Sequence, residues 1–314
     1  LGGLTQTMSS VGLMMSAIFT LPIIGAGIAI SKTAIDFDKS MRNIQSIGKQ
    51  TDAQVRELGD GFRKMSVDLE QTVASPKELA ESFYEIQSAA FYGADAQTVL
   101  NASTKAATAG LADQRQTAQA VAMALHAYGK GASEATHFTD VMMRAVDIGI
   151  FRFKDLTTQM GDFIAAAGMM KIPIEQVLAA LTTMTKKGLP IAEAATSLNR
   201  IMLAYLKPAK AEEELAASLG ITLSATTLKT LGLAGAMDQL LKATKGDEDV
   251  LADLIGEARA IRGVFALASD GLQMFNGDVK TLYASAGTVD QVFKTQIRSW
   301  DAQLKNFKNT LSDM

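Results

Sequence analysis

Glycine or proline interrupts the apolar pattern of this sequence at Gly93, Gly110, Gly129, Gly149, Gly168 and Gly188, a spacing of roughly 17 to 20 residues. Each interval suits one helix and a short turn, so the pattern predicts helices stacked in antiparallel pairs. A single helix of this length would extend on the order of 470 Å. The breaks fold the chain back on itself instead, and the expectation is a globule.

Between the breaks the apolar residues fall at helical spacing. In ASPKELAESFYEIQSAA, Ser75 is a natural N-cap, Pro76 suits the first helical position and Glu78 completes a capping box. Leu79, Phe83, Ile86 and Ala90 then share one face. Asp95 is read as the cap of the next helix, which Gly110 ends. Asp113 and Gln116 read as a second capping box, with Ala118, Val121, Ala122, Leu125 and Tyr128 as the stripe and Gly129 as the stop. Further helices are predicted over about 134–146 and 155–169.

Pro173 opens a helix with the stripe Ile174, Val177, Leu178 and Leu181, closed by Lys186 and Lys187 at the negative end of its dipole. Pro190 opens another, with Ile191, Ala194, Ala195, Leu198, Ile201, Met202 and Tyr205 on one face and Pro208 beyond its end. After Glu212 the pattern stays helical, and Gly246, Gly256, Gly263 and Gly271 blur its boundaries. Val292, Ile297, Trp300, Leu304, Phe307 and Leu311 predict a longer amphipathic helix that continues beyond the chain.

Composition supports the same class. Of 314 residues, hydrophobic types make up 48% and aromatics only 6%, a profile poor in strand formers. The fold class expected is all-α: a compact array of antiparallel amphipathic helices preceded by an apolar, proline-broken segment. Three regions follow: 1–35, apolar and helical with possible membrane activity; 36–210, a helical core; and 211–314, a C-terminal helical region. The first residue is Leu1, so the chain reads as a processed product or part of a longer polypeptide.

That first region poses the main functional question. VGLMMSAIFTLPIIGAGIAI, residues 11–30, carries no charge, and the first charged residue is Lys32. Its length is close to the ~20 residues that span a bilayer. Nine Leu, Ile, Phe and Val side chains favour insertion by roughly 3 to 5 kcal/mol, which Pro22 and the Gly, Ser and Thr residues offset in large part. No basic region precedes it, which argues against a secretory signal. The expectation is two short apolar helices broken near Thr20 to Pro22. Leu13, Met14, Ile18, Phe19, Leu21, Pro22, Ile23, Ile24 and Ile28 are the candidate residues for lipid contact or packing between copies.

Chemistry is sparse elsewhere. The absence of cysteine excludes disulfides, thiolate metal sites and a cysteine nucleophile. His126 and His137 stand eleven residues apart without a ligand motif and read as structural. Asp247 and Asp249 lack the rest of a calcium loop and read as charges at a helix start. The glycines of IIGAGIAI and LGLAGAMDQ form no phosphate loop and read as breaks or close-packing sites. Net charge is −3 with scattered basic residues, which argues against sequence-specific nucleic-acid binding. Neither catalytic nor metal nor cofactor-binding residues are assigned. The methionines, Met14, Met15, Met142, Met143, Met169 and Met170 among them, read mostly as core filler.

In succession these features resemble the core region of phage tail tape measure proteins. The resemblance runs through TLPIIGAGIAISKTAIDFDKSM, ASPKELAESFYEIQSAA, KAATAGL, ALHAYG, IPIEQVLAALTTMTKKGLPIAEAATSLNRIMLAYLKP and ARAIRGVFAL. It departs at Phe91-Tyr92-Gly93, where the family often has Ala-Gly. It implies a structural virion protein in the tail lumen or tail tip, whose length sets tail length and which assists genome ejection through the host envelope. It also implies as partners other copies of itself, a homo-oligomer of about three or six, the tail tube, the tail tip or baseplate, and the host membrane during ejection. Two other classes are a membrane-active, pore-forming helical protein and, less favoured, part of a wall-degrading enzyme.

Overall fold

The computed structural model describes residues 34–313 except 69 and 257, and every regular element among them is helical. A first helix, α1, covers 34–48. It is followed by α2 (Asp52–Val67), α3 (Pro76–Ser88), α4 (Gly93–Ala109), α5 (Gln114–Ala127), a short 3-10 turn (Ala132–Glu134), α6 (Ala135–Ile148), α7 (Phe153–Met170), α8 (Ile174–Lys186) and α9 (Ile191–Leu206). The rest comprises α10 (Lys210–Ser218), α11 (Ala225–Thr244), α12 (Glu248–Ile255), α13 (Ala258–Leu267), α14 (Asp270–Tyr283), α15 (Thr288–Gln296) and α16 (Trp300–Asp313).

Local signals set most starts. The Ser75 amide donates to Glu78 Oε2 at 2.8 Å and the Glu78 amide to Ser75 Oγ at 3.3 Å, which is the capping box read from sequence. Thr51 and Gln54 form another at α2. Asp113 caps α5 by accepting from the Gln116 amide at 2.8 Å, but the Gln116 side chain does not fold back. It reaches Thr158 Oγ1 on α7 at 2.9 Å instead. Asp95 lies inside the first turn of α4, whose N-cap is Tyr92. Helix α3 ends at Ser88, so Ala90 leaves the buried stripe and takes a left-handed conformation with φ 65°.

The helices stack in two layers. In one, α3 packs on α5, α5 on α7, α7 on α9 and α9 on α13; in the other, α4 packs on α6, α6 on α8 and α8 on α14. The α5–α7 and α6–α8 neighbours run the same way, whereas α14 runs against α8, with Asp270 at its start paired to Lys187 just past the end of α8. Near their starts α5 and α7 are joined by Gln116–Thr158, and near their ends the Tyr128 hydroxyl donates to the Ile172 carbonyl at 2.8 Å. In the second layer His137 meets Glu175 near the start of α6 and α8, and Thr182 Oγ1 reaches the Ala145 carbonyl near the end. The repeating unit is therefore a helix pair. Its first residues, Pro76, Gln114, Phe153 and Ile191, are about 38 residues apart.

Gly168 departs from the expected punctuation. It lies within α7, and a Cβ there would stand 2.2 Å from the Ala127 carbonyl oxygen. The missing side chain lets α7 approach the end of α5, with Ala166 and Ala167 buried beside it. In LGLAGAMDQ, Gly232 takes φ 70° and ψ 167° and kinks α11. One apolar cluster extends from Phe37 to Phe293. Phe62 and Phe83 meet edge to face at 5.4 Å, and buried Tyr205 ties α9 to α11 through the Ala236 carbonyl at 3.3 Å.

The last three helices run back toward the beginning. Helix α14 packs on α8, α15 on α4 and α6, and α16 on α2. Residues 297–299 separate α15 from α16 where the sequence pattern predicted continuous helix. The break lets each piece meet a different partner, and Ser299 Oγ accepts from the Ala302 amide at 3.2 Å at the new start.

Candidate functional site

Two buried carboxylates hold the returning helices in place. Asp140 on α6 is 4% exposed and accepts from the backbone amides of Gly287 and Val289, each at 2.8 Å. These amides open α15, where unpaired N–H groups and the helix dipole favour a negative charge. Asp278 on α14, 5% exposed, accepts from Thr183 Oγ1 at 2.9 Å and from Lys186 Nζ at 2.5 Å. Lys187 pairs with Asp270, and this hydrogen bond and charge hold the exposed Asp270 carboxyl below its ordinary range. Both lysines thus reach α14, beyond the dipole role read from sequence.

Sequence reasoning missed this seam because its partners lie 92 to 149 residues apart. One local signal was present: Asp140 interrupts the apolar face formed by Phe138, Val141 and Met142. A charge at such a position needs a partner supplied by the fold.

Helix α16 is clasped by amides. Asn309 Nδ2 donates to the carbonyls of Ser66 at 3.0 Å and Ala74 at 3.1 Å, and Asn306 Nδ2 to that of Val67 at 2.9 Å. These carbonyls lie at and beyond the end of α2, where helical partners run out. The clasp turns a polar edge of α16 inward and leaves Leu304 and Phe307 outward, 53% and 60% exposed. Asn309→Ala should lower stability by about 1–2 kcal/mol and raise amide exchange across 300–313 with little change in α5. Uniform exchange in both helices would contradict the clasp.

The histidines occupy different settings. His137 Nε2 lies 3.0 Å from Glu175 Oε1, a carboxylate otherwise buried under α6, whereas His126 lines a surface groove of about 540 Å³ with Met123, Ile164 and Met169. That groove runs between α3, α5 and α7. A larger groove of about 940 Å³ lies along α2 and α4, lined by Gln54, Glu57, Asp60, Lys64 and Asn101 among others. Asp247 accepts from the amides of Asp249 and Val250 and caps α12, as read from sequence. Burial pushes the hydroxyls of Tyr128 and Tyr205 well above their ordinary range, so both remain neutral donors to the carbonyls they tie down. Among the methionines, Met142, Met143 and Met170 fill the core and Met169 faces out.

The residues singled out for lipid contact, Leu13 to Ile28, lie outside the described residues. Among the described residues no helix is long and apolar enough to cross a membrane, and no group of His, Asp and Glu is placed to hold a metal ion.

Helix pairs layered in this way define an all-helical repeat scaffold. The family model described as "Phage-related minor tail protein" matches residues 52–256, and the chain belongs to that family, which places it among the structural proteins of the phage tail. It is 25% identical over 296 residues to the "Tape measure protein" of Pneumococcus phage Dp-1, covering 92% of this chain and 25% of that protein. It is 24% identical over 302 residues to the "Probable tape measure protein" of Clostridium phage phiCD119, covering 91% of this chain and 32% of that protein. The chain thus spans a quarter to a third of the length of these curated relatives. No solved structure matches it.

Proposed function

We propose that this chain is a folded, length-neutral unit of a tail tape measure protein. The rest of the polypeptide then sets tail length during assembly. The observation that supports this reading is the position of the two ends. Helix α1 lies against α2, where Gly59 faces Met41 and Phe37, and α16 is clasped to the end of the same helix. The first and last described helices therefore pack on the same helix, so residues 34–313 add the thickness of a globule rather than the contour of a helix.

Under this reading regions 36–210 and 211–314 act together as the folded unit, placed in the tail lumen or at the tail tip. The tube, tip or baseplate proteins and other copies of the chain are its neighbours. Region 1–35 is the part that meets the host membrane during ejection, since residues 11–30 carry no charge.

In-frame deletions in the gene outside this unit should shorten tails by about 1.5 Å per residue removed. Deleting a helix pair inside it, residues 153–190, should abolish or misassemble tails without graded shortening. Electron micrographs of the mutant tails decide the matter. Graded shortening from the internal deletion would overturn the length-neutral unit, and unchanged tails from the outside deletions would overturn the ruler.

A further inference from the structure

Helix α16 carries apolar side chains on its outer face. Leu304 and Phe307 face solvent while two asparagines of the same helix are turned inward. Leu304 and Phe307 stand three residues apart, which places them on one face of the helix. An apolar helix can lie along such a face. We propose that residues 11–30 of the same molecule cover this stripe.

The point of attachment favours that occupant. Asp36 Oδ2, at the start of α1, lies 3.6 Å from Lys77 Nζ, and the Ala74 carbonyl lies 3.1 Å from Asn309 Nδ2. The beginning of α1 and the last turns of α16 therefore flank one short link, residues 74–77. Residues 31–33 join Ile30 to α1, so residues 11–30 are tethered at that point. Ile35, 67% exposed, adds apolar surface at the start of α1.

Charge and concentration agree. Residues 11–30 contain no charged side chain, and no other segment of the chain offers an uncharged run of that length. A tethered segment of the same chain also competes at an effective concentration in the millimolar range for short links, well above that of a second copy in dilute solution. Covering the stripe keeps the apolar segment out of water until a competing surface, such as another copy or a bilayer, draws it away.

The chain contains no cysteine, which makes disulfide trapping clean. Leu304→Cys is combined in turn with Ile18→Cys, Ile23→Cys and Ile28→Cys in the 314-residue chain, oxidised in dilute solution and mapped by mass spectrometry. The expected result is a disulfide within one molecule for at least one pair, reduced about tenfold or more when Phe307→Asp is added. Leu304 and Phe307 are exposed, so these substitutions leave the circular dichroism melt in place. A disulfide between two molecules means that a second copy covers the stripe and overturns the proposal. Monomers that remain unlinked in all three pairs overturn it as well.

Discussion

Gly168→Ala should destabilise the protein by about 3 kcal/mol, the upper part of the range for forcing a methyl group into a packed interior. The added Cβ would stand 2.2 Å from the Ala127 carbonyl oxygen and 2.6 Å from its carbon. Both are backbone atoms at the end of α5, so no side chain can swing aside. Relief requires α5 and α7 to part, which loosens the Tyr128 to Ile172 hydrogen bond and the buried alanines between the helices. Gly161 on the same helix is the control, because its Cβ would meet only the Met123 methyl group at 3.9 Å. There the gain in helix propensity should stabilise by about 0.5–1 kcal/mol. Urea midpoints of the two variants should move in opposite directions, and a shift of the same sign would refute the close approach of α5 and α7.

Removal of Asp140 should have an effect of similar size for an electrostatic reason. Asp140→Ala leaves the amides of Gly287 and Val289 without their acceptor in a buried site, at a cost of about 3 kcal/mol for two charge-assisted bonds. Asp140→Asn keeps an oxygen at the site but removes the charge, and should cost about half as much. The distribution of the loss is the sharper test. Amides of α15 should lose protection from exchange first, because the Asp140 carboxylate holds its start through Gly287 and Val289. The exposed Lys105–Asp290 pair, 3.1 Å apart, adds little to that attachment. Equal loss of protection in α5 and α15 would show that Asp140 acts on the whole core rather than on the cap.

The helix positions were largely legible in the sequence because their signals are local. Ser75 and Glu78, Asp113, Asp247, Pro173 and Pro190 act on backbone groups within a turn of themselves, and a pattern of three or four residues is enough to read them. The buried stripes followed from the same periodicity, and Leu79, Val121, Leu178 and Leu198 are fully buried where it placed them. Gly168 shows the limit of that reading. A glycine that ends a helix and a glycine that admits a neighbouring backbone look the same in one dimension, and only the distance to Ala127 separates them.

The candidate surfaces were less legible. Leu304 and Phe307 form a stripe that periodicity assigns to a core, yet they face outward because Asn306 and Asn309 find backbone carbonyls at the end of α2. Those bonds set the rotation of α16, and neither asparagine shows in sequence what it will bind. The same holds for Lys186, which ends α8 as a dipole argument expects but spends its charge on Asp278.

By itself, then, the sequence determined an all-α chain, the caps and stripes of its helices, an uncharged stretch at residues 11–30 and a resemblance that family membership sustains. The tertiary structure alone decided that the helix pairs sort into two layers, α3–α5–α7–α9 in one and α4–α6–α8 in the other. It alone returned the chain to its starting end and turned an apolar edge of α16 outward. The physical reason is range: caps and periodicity act across a few residues of the same helix. Asp140, Asp278 and Asn309 act on groups from about 90 to 240 residues away that only the folded chain brings within hydrogen-bonding distance.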